Sequence, residues 1–181
     1  IRQAKKRGVN ITCDTAPPYF LLNENSLLSY NTSFKISPPL RTENDRIAVI
    51  EGIQDGTIDA IASDHRARSK DTKVQPFSAA SIGAAGIETL FSLTLELVHK
   101  KLINLNKAIS LISLNPSKIL KIKEPTLELN EDATFIIFDD SLKSTINQKD
   151  LMFSPTPFEG RNIKGKILAT FIRGNPSHLD P

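Results

Sequence analysis

Tryptophan is absent from the 181 residues, and cysteine and methionine occur once each. A lone cysteine, Cys13, excludes an internal disulfide framework and fits a reducing compartment. Charge of one sign is scarce too: 23 Lys and Arg against 20 Asp and Glu leave a net charge of only +3. Those basic side chains are scattered rather than striped, so they mark no nucleic-acid partner. No apolar run reaches the ~18–20 residues of a membrane helix, and no signal-peptide pattern opens the chain. His65, His99 and His178 show neither H-x-H nor H-x-x-x-H spacing. The chain alone therefore cannot build a multi-histidine metal site.

What is present is enough apolar residue, 39% of the total, to bury a core as one domain and a piece of a second. "IRQAKKRGVNITCD" reads as the end of a helix followed by a strand. Lys5, Lys6 and Arg7 suit the negative pole of the helix dipole, and Gly8 suits a C-terminal cap. A helix already under way at Ile1 leads us to expect a missing N-terminal part; a processed protein with an unusual start is the alternative.

Residues 9–13 read as a strand, and two Pro-Pro pairs make the next stretch mostly loop, with "SFKIS" a brief strand. Thr42 and Asp45 form a variant capping box ahead of Ile47, Ile50 and Ile53 at helical spacing. Gly56 stops that helix, and Ile58–Ala62 is a strand. From about Gly86 a helix with Leu90, Leu93, Leu97 and Val98 on one side is expected. Two further helices should follow, Asn115 capping the second with Pro116 at its first position. This alternation predicts a parallel α/β sheet or barrel with its site at the carboxyl ends of strands. Beyond residue 123 the runs "DATFIIFDD" and "GKILATFIRG" predict strands, with Pro155, Pro157, Gly160 and Gly165 marking turns. The expected division is 1–123 and 124–181.

The stretch "DGTIDAIASDHRARSKDTK" carries the main chemical signal. A buried strand delivers Asp64 and His65 to a polar loop. A carboxylate there can bind a divalent metal, move a proton, or simply cap the following turn. His65, pointing another way from the same backbone, suits a positioning role. In "KISPPLR", Ser37 and Arg41 flank a rigid double proline, as a hydrogen-bonding platform or as an ordinary polar turn. In "SIGAAGIET", Gly83 and Gly86 precede a helix, where backbone N–H groups can meet an anion or merely allow a tight entry. Cys13 has no identifiable base partner and reads as a structural thiol.

Six segments, "KISPPLRTENDR", "DGTIDAIASDH", "DTKVQPF", "GAAGIETLFSLTLELV", "LNPSKIL" and "TPFEGRNIKGKILATFIRG", together resemble the C-terminal part of a dihydroorotase of the amidohydrolase superfamily. The "SDH" strand end followed by G-x-x-G-x-E-T is the dihydroorotase-like element; the late "TPFEG" region is shared with hydantoinases and allantoinases. The resemblance implies an α/β fold, the C-terminal part of a (β/α)8 TIM barrel followed by part of a small β-sandwich. It implies reversible hydrolysis of dihydroorotate to N-carbamoyl-aspartate in cytoplasmic pyrimidine synthesis, by an enzyme that uses Zn2+ and forms homo-oligomers. Asp64 would bind the metal and shuttle the proton, and the remaining ligands would lie outside this chain. Substrate contacts are implied at Ser37, Arg68, Ile82 and Gly83.

Several positions depart from the family pattern. Pro18 stands where many members carry a ligand histidine, Ser37 where an asparagine contacts substrate, and Arg68 where "SDHAPH" ends in histidine. Ile82 replaces a frequent proline. Serine still donates a hydrogen bond, and arginine can pair with a substrate carboxylate. These departures raise the alternative of a non-catalytic dihydroorotase-like subunit that assembles with aspartate carbamoyltransferase. Another cyclic-amide hydrolase is a third reading.

Overall fold

Two parallel strands lie at the centre of the first half. In the computed structural model, which describes residues 1–180, β1 (Asp14–Thr15) pairs with β2 (Ala60–Ile61). Asp59 N donates to Cys13 O and Ala62 N to Thr15 O, continuing the ladder past both ends. The strand expected at 9–13 thus pairs two residues later, because only the segment beside Asp59–Ala62 finds a partner. Ala60 and Ile61 are both buried, as in a parallel sheet covered on both faces. Helix α1 (Arg2–Lys6) ends before Gly8, whose φ of +78° is the left-handed conformation expected of a cap.

After β1 come α2 (Pro17–Leu21) and two 3-10 turns, Glu24–Ser29 and Thr32–Phe34. The second turn replaces the strand expected in "SFKIS". Asn31 Oδ1 accepts from Ser33 N and winds the chain locally, while Lys35 O accepts from Gly83 N and, at 3.5 Å, from Lys73 Nζ instead of joining a ladder. Helix α3 (Glu43–Gln54) begins on the expected capping box: Thr42 Oγ1 accepts from Asp45 N, and Asp45 Oδ2 from Thr42 N. Of its isoleucines, Ile53 is fully buried, Ile50 half-buried and Ile47 exposed.

The loop after β2 holds the one-turn α4 (Lys70–Lys73), and a single parallel bridge, His65 to Ala84, stands where a third strand would lie. Helix α5 (Leu90–His99) starts four residues later than expected. It is also buried on more than the one side its leucines indicated. Leu93, Thr94, Leu95 and Leu97 are all at most 1% exposed, since a sheet covers the face that the α layer leaves open.

The two helices expected after α5 are one continuous run: α6 (Leu105–Ile109), a π-helical turn (Ser110–Leu114) and α7 (Asn115–Leu120). Pro116 has no N–H for the i−4 carbonyl and its ring crowds that carbonyl, and a π turn relieves both. Asn115 is helical rather than capping; its Nδ2 donates to Asp59 O at 2.8 Å. Phe20, Ile53, Ile61, Leu97, Ile103, Ala108 and Leu111 form the core of this half.

The second half is an antiparallel sheet in the order β3 (Phe135–Thr145), β4 (Asn162–Ile172), β5 (Asn175–Leu179). Strand β5, "NPSHL", is exposed throughout and carries no apolar alternation to announce it. Gly165 lies inside β4 rather than in a turn, because the strand needs a residue without Cβ against Leu95 of α5. The segment between β3 and β4 returns to the first half, where Ile146 and Phe158 pack on Leu93. No helix among the described residues is long and apolar enough to cross a membrane.

Candidate functional site

The carboxyl ends of β1 and β2 open on a cleft of about 400 Å3. Asp64, three residues past β2, has φ +45°, a left-handed conformation that non-glycine residues adopt at a cost and that tends to collect at functional sites. Its carboxylate does not cap the following turn; Ser63 Oγ does that, accepting from His65 N at 3.3 Å. Instead Asp64 Oδ2 faces the Tyr19 hydroxyl at 3.3 Å, and Oδ1 faces Arg66 Nε at 3.6 Å. The same hydroxyl lies 3.2 Å from Pro38 O. Burial, then the Asp64 charge and the hydrogen bond to it, push the Tyr19 phenol well above its usual range, so it remains a donor.

Ser37 and Arg41 line the same cleft. Thr42 and its capping box fix the start of α3 beside them, and Arg41 reaches Asp45 only at 4.0 Å. Asp64, Ser37 and Arg41, picked out from the sequence, are thus brought together. Tyr19 and Arg66 join them without having been singled out. Tyr19 follows Pro18 just past a strand end, the one local signal that points to it; Arg66 was hidden between His65 and Arg68.

Arg68, Ile82 and Gly83 form an adjoining turn and do not line the cleft. Arg68 Nε donates to Ile82 O at 2.8 Å. A Cβ on Gly83, whose φ is +122°, would lie 2.8 Å from both Arg66 Cβ and Arg66 O. Gly86 is just as constrained, since its Cβ would meet Ser63 O at 2.4 Å. Neither glycine holds a free N–H for an anion: Gly83 N donates to Lys35 O, and Gly86 N to His65 Nδ1. Glycine here allows close approach of backbone, the second of the two readings of the G-x-x-G.

His65 accepts at Nδ1 from both Gly86 N and Ile87 N at 3.3 Å, with Phe153 edge-on at 4.8 Å, which is a positioning role. Pro18 is buried beside a small void behind Asp64. His99 and His178 are exposed. Cys13 Sγ donates to Thr57 O, and burial raises its thiol, in keeping with a structural role.

A zinc site takes three or four protein donors. Around Asp64, Pro18 offers none, Tyr19 and Arg66 already engage both carboxylate oxygens, and His65 turns its Nδ1 to the backbone. No group of three or more His, Cys, Asp or Glu able to hold a metal exists among the described residues. These residues do not by themselves fit a metal ion.

Residues 2–176 match the model of the amidohydrolase family. A dihydroorotase of Anaplasma phagocytophilum (strain HZ) is 38% identical over 181 residues, covering 96% of this chain and 39% of the relative. One of Syntrophus aciditrophicus (strain SB) is 39% identical over 176 residues, covering 96% and 41%. The chain therefore spans about two fifths of the length of these curated relatives. The L-hydantoinase of Arthrobacter aurescens superposes with a TM-score of 0.91 at 24% identity, over 99% of this chain and 42% of that one. A D-hydantoinase from Thermus sp. gives 0.89 at 24%, again over 99% and 42%. The expected fold class holds: the α/β half and the antiparallel sheet are part of the barrel and sandwich architecture of these proteins.

Proposed function

Since the chain belongs to the amidohydrolase family, we propose that it is part of a dihydroorotase, hydrolysing dihydroorotate reversibly to N-carbamoyl-aspartate in pyrimidine biosynthesis. The activity is proposed for these residues joined to the remainder that the longer relatives carry. The observation that carries it is Asp64: a half-buried carboxylate in a left-handed conformation, at the end of a parallel strand, beside Ser37 in an open cleft.

In this reading Asp64 accepts a proton from the attacking water and returns it to the amide nitrogen as the ring opens. Tyr19 and Arg66 orient the carboxylate. Ser37 donates to the substrate from across the cleft, while Arg68, Ile82 and Gly83 stay outside its lining and hold the adjoining turn. Zn2+ would take Asp64 as one ligand only if residues outside this chain complete the set. Residues 1–123 form the barrel portion and 124–181 the sandwich portion, in a cytoplasmic homo-oligomer. These last features rest on the family resemblance.

One observation favours a second reading, a non-catalytic subunit assembling with aspartate carbamoyltransferase. Pro18 has no donor atom, and both oxygens of Asp64 have protein partners. Dihydroorotate turnover by the longer protein decides between the two. We expect turnover that falls by roughly 10^2–10^4-fold in Asp64→Asn, with the unfolding midpoint preserved. No turnover by the unsubstituted protein, together with co-elution with the transcarbamoylase, would establish the second reading instead.

A further inference from the structure

Arg41, Arg46 and Arg66 all line the cleft, and the one beside Asp64 is not the arginine that the sequence pattern puts forward. We infer that Arg66, rather than Arg68, recognises a carboxylate on the ligand, and that the cleft selects small carboxylate-bearing molecules through it. The inference rests on the reading above for the identity of the ligand, but not for the placement of the charge.

Three routes to anion binding are available in this region, and two are closed. The N–H groups of Gly83 and Gly86 already donate to Lys35 O and His65 Nδ1. Arg68 spends its Nε on Ile82 O and lies outside the cleft lining. Arg66 remains. Its backbone is fixed by the bond from Arg66 N to Ala84 O, next to the His65–Ala84 bridge. Its Cβ passes over Gly83 at a distance that no other residue at 83 would permit. The absence of a side chain at 83 is therefore what lets Arg66 turn into the cleft.

Once there, the guanidinium is only lightly committed. Its one ionic neighbour among the described residues is Asp64, 3.6 Å from Nε, and the side chain is 56% exposed. Of the other cleft arginines, Arg46 is taken up by Glu43 and Phe20 O, and Arg41, 4.0 Å from Asp45, is as loosely held, but Arg66 is the one that stands beside Asp64. The terminal nitrogens of Arg66 thus remain to make the paired, parallel hydrogen bonds with which a guanidinium grips a carboxylate. Ser37 lines the same cleft and supplies a second, neutral contact. The volume of about 400 Å3 suits a small molecule.

Calorimetric binding of N-carbamoyl-aspartate and of N-carbamoyl-β-alanine, which lacks the α-carboxylate that dihydroorotate shares, tests this with the longer protein. Arg66→Ala should weaken N-carbamoyl-aspartate by about 10–100-fold, the weight of one charge-assisted contact. It should change the β-alanine analogue by less than about 3-fold, Arg66→Lys should recover part of the loss, and Arg68→Ala should stay within about 3-fold. Equal binding by Arg66→Ala and the unsubstituted protein would overturn the inference, as would loss in Arg68→Ala instead, or no binding at all. Melting curves of each variant separate loss of fold from loss of contact. Arg66-dependent binding without turnover would remove the catalytic reading and leave this one standing.

Discussion

Lys73 is only 4% exposed, yet it carries an amine. Its Nζ donates to Thr32 O at 2.6 Å and Ser81 O at 2.9 Å, while Thr32 Oγ1 donates back to Lys73 O. Burial, helped by the nearby charges of Lys35 and Arg68, pushes it down to about 8. The residue fastens the loop leading to Ser37 against the turn that holds Gly83. Lys73→Met fills the same space but takes the amine from Ser81 O and leaves Thr32 O with Lys35 N alone, and should cost about 1–3 kcal/mol in urea unfolding. Nothing in "DTKVQPF" shows this, because the bonds reach carbonyls 41 and 8 residues away and leave no periodic trace. Asp64 was legible for the opposite reason: a strand end is a local signal. Its partner Tyr19 lies 45 residues upstream, and only the fold brings the two together.

Between elements, β4 lies close against α5. Gly165, at φ +105°, offers no Cβ where one would lie 2.3 Å from Leu95 Cδ1, and its carbonyl accepts from Ser92 Oγ at 2.7 Å. Gly165→Ala adds both a clash against a side chain only 1% exposed and an unfavourable backbone conformation. We expect a loss of about 1–3 kcal/mol, read from the denaturation midpoint. The sequence places a glycine there but reads it as a turn, since a strand glycine that accommodates a helix has the same local appearance. Asn115 was misread similarly. An Asn-Pro pair ordinarily opens a helix, but here the side chain holds Asp59 O while a π turn absorbs the proline. The capping box at Thr42 and Asp45 was fully legible, because all its atoms lie within four residues.

Across the whole molecule, a partly buried ion pair adds to the packing that ties the antiparallel sheet to the barrel portion. Arg161, just ahead of β4, grips Glu96 of α5 with Nε–Oε1 at 2.6 Å and Nη2–Oε2 at 2.8 Å. The fork geometry and low exposure set it apart from surface pairs such as Arg2–Asp55. Burial alone would raise the Glu96 carboxyl, but the Arg161 hydrogen bonds and charge, with Lys100, outweigh it and hold the group below its usual range. A carboxyl lowered in the folded state contributes stability that is complete above its unfolded value near 4.5 and fades as pH falls through the folded one. Glu96→Gln should therefore cost about 1–3 kcal/mol at pH 7, and the difference from the unsubstituted protein should shrink on titration below pH 4. Arg161→Met leaves Glu96 with Lys100 alone and should lose stability at pH 7 as well. The double substitution should lose less than the sum, because both singles break one interaction. Equal losses at pH 7 and pH 3, measured by urea unfolding, would show that the pair contributes through packing alone.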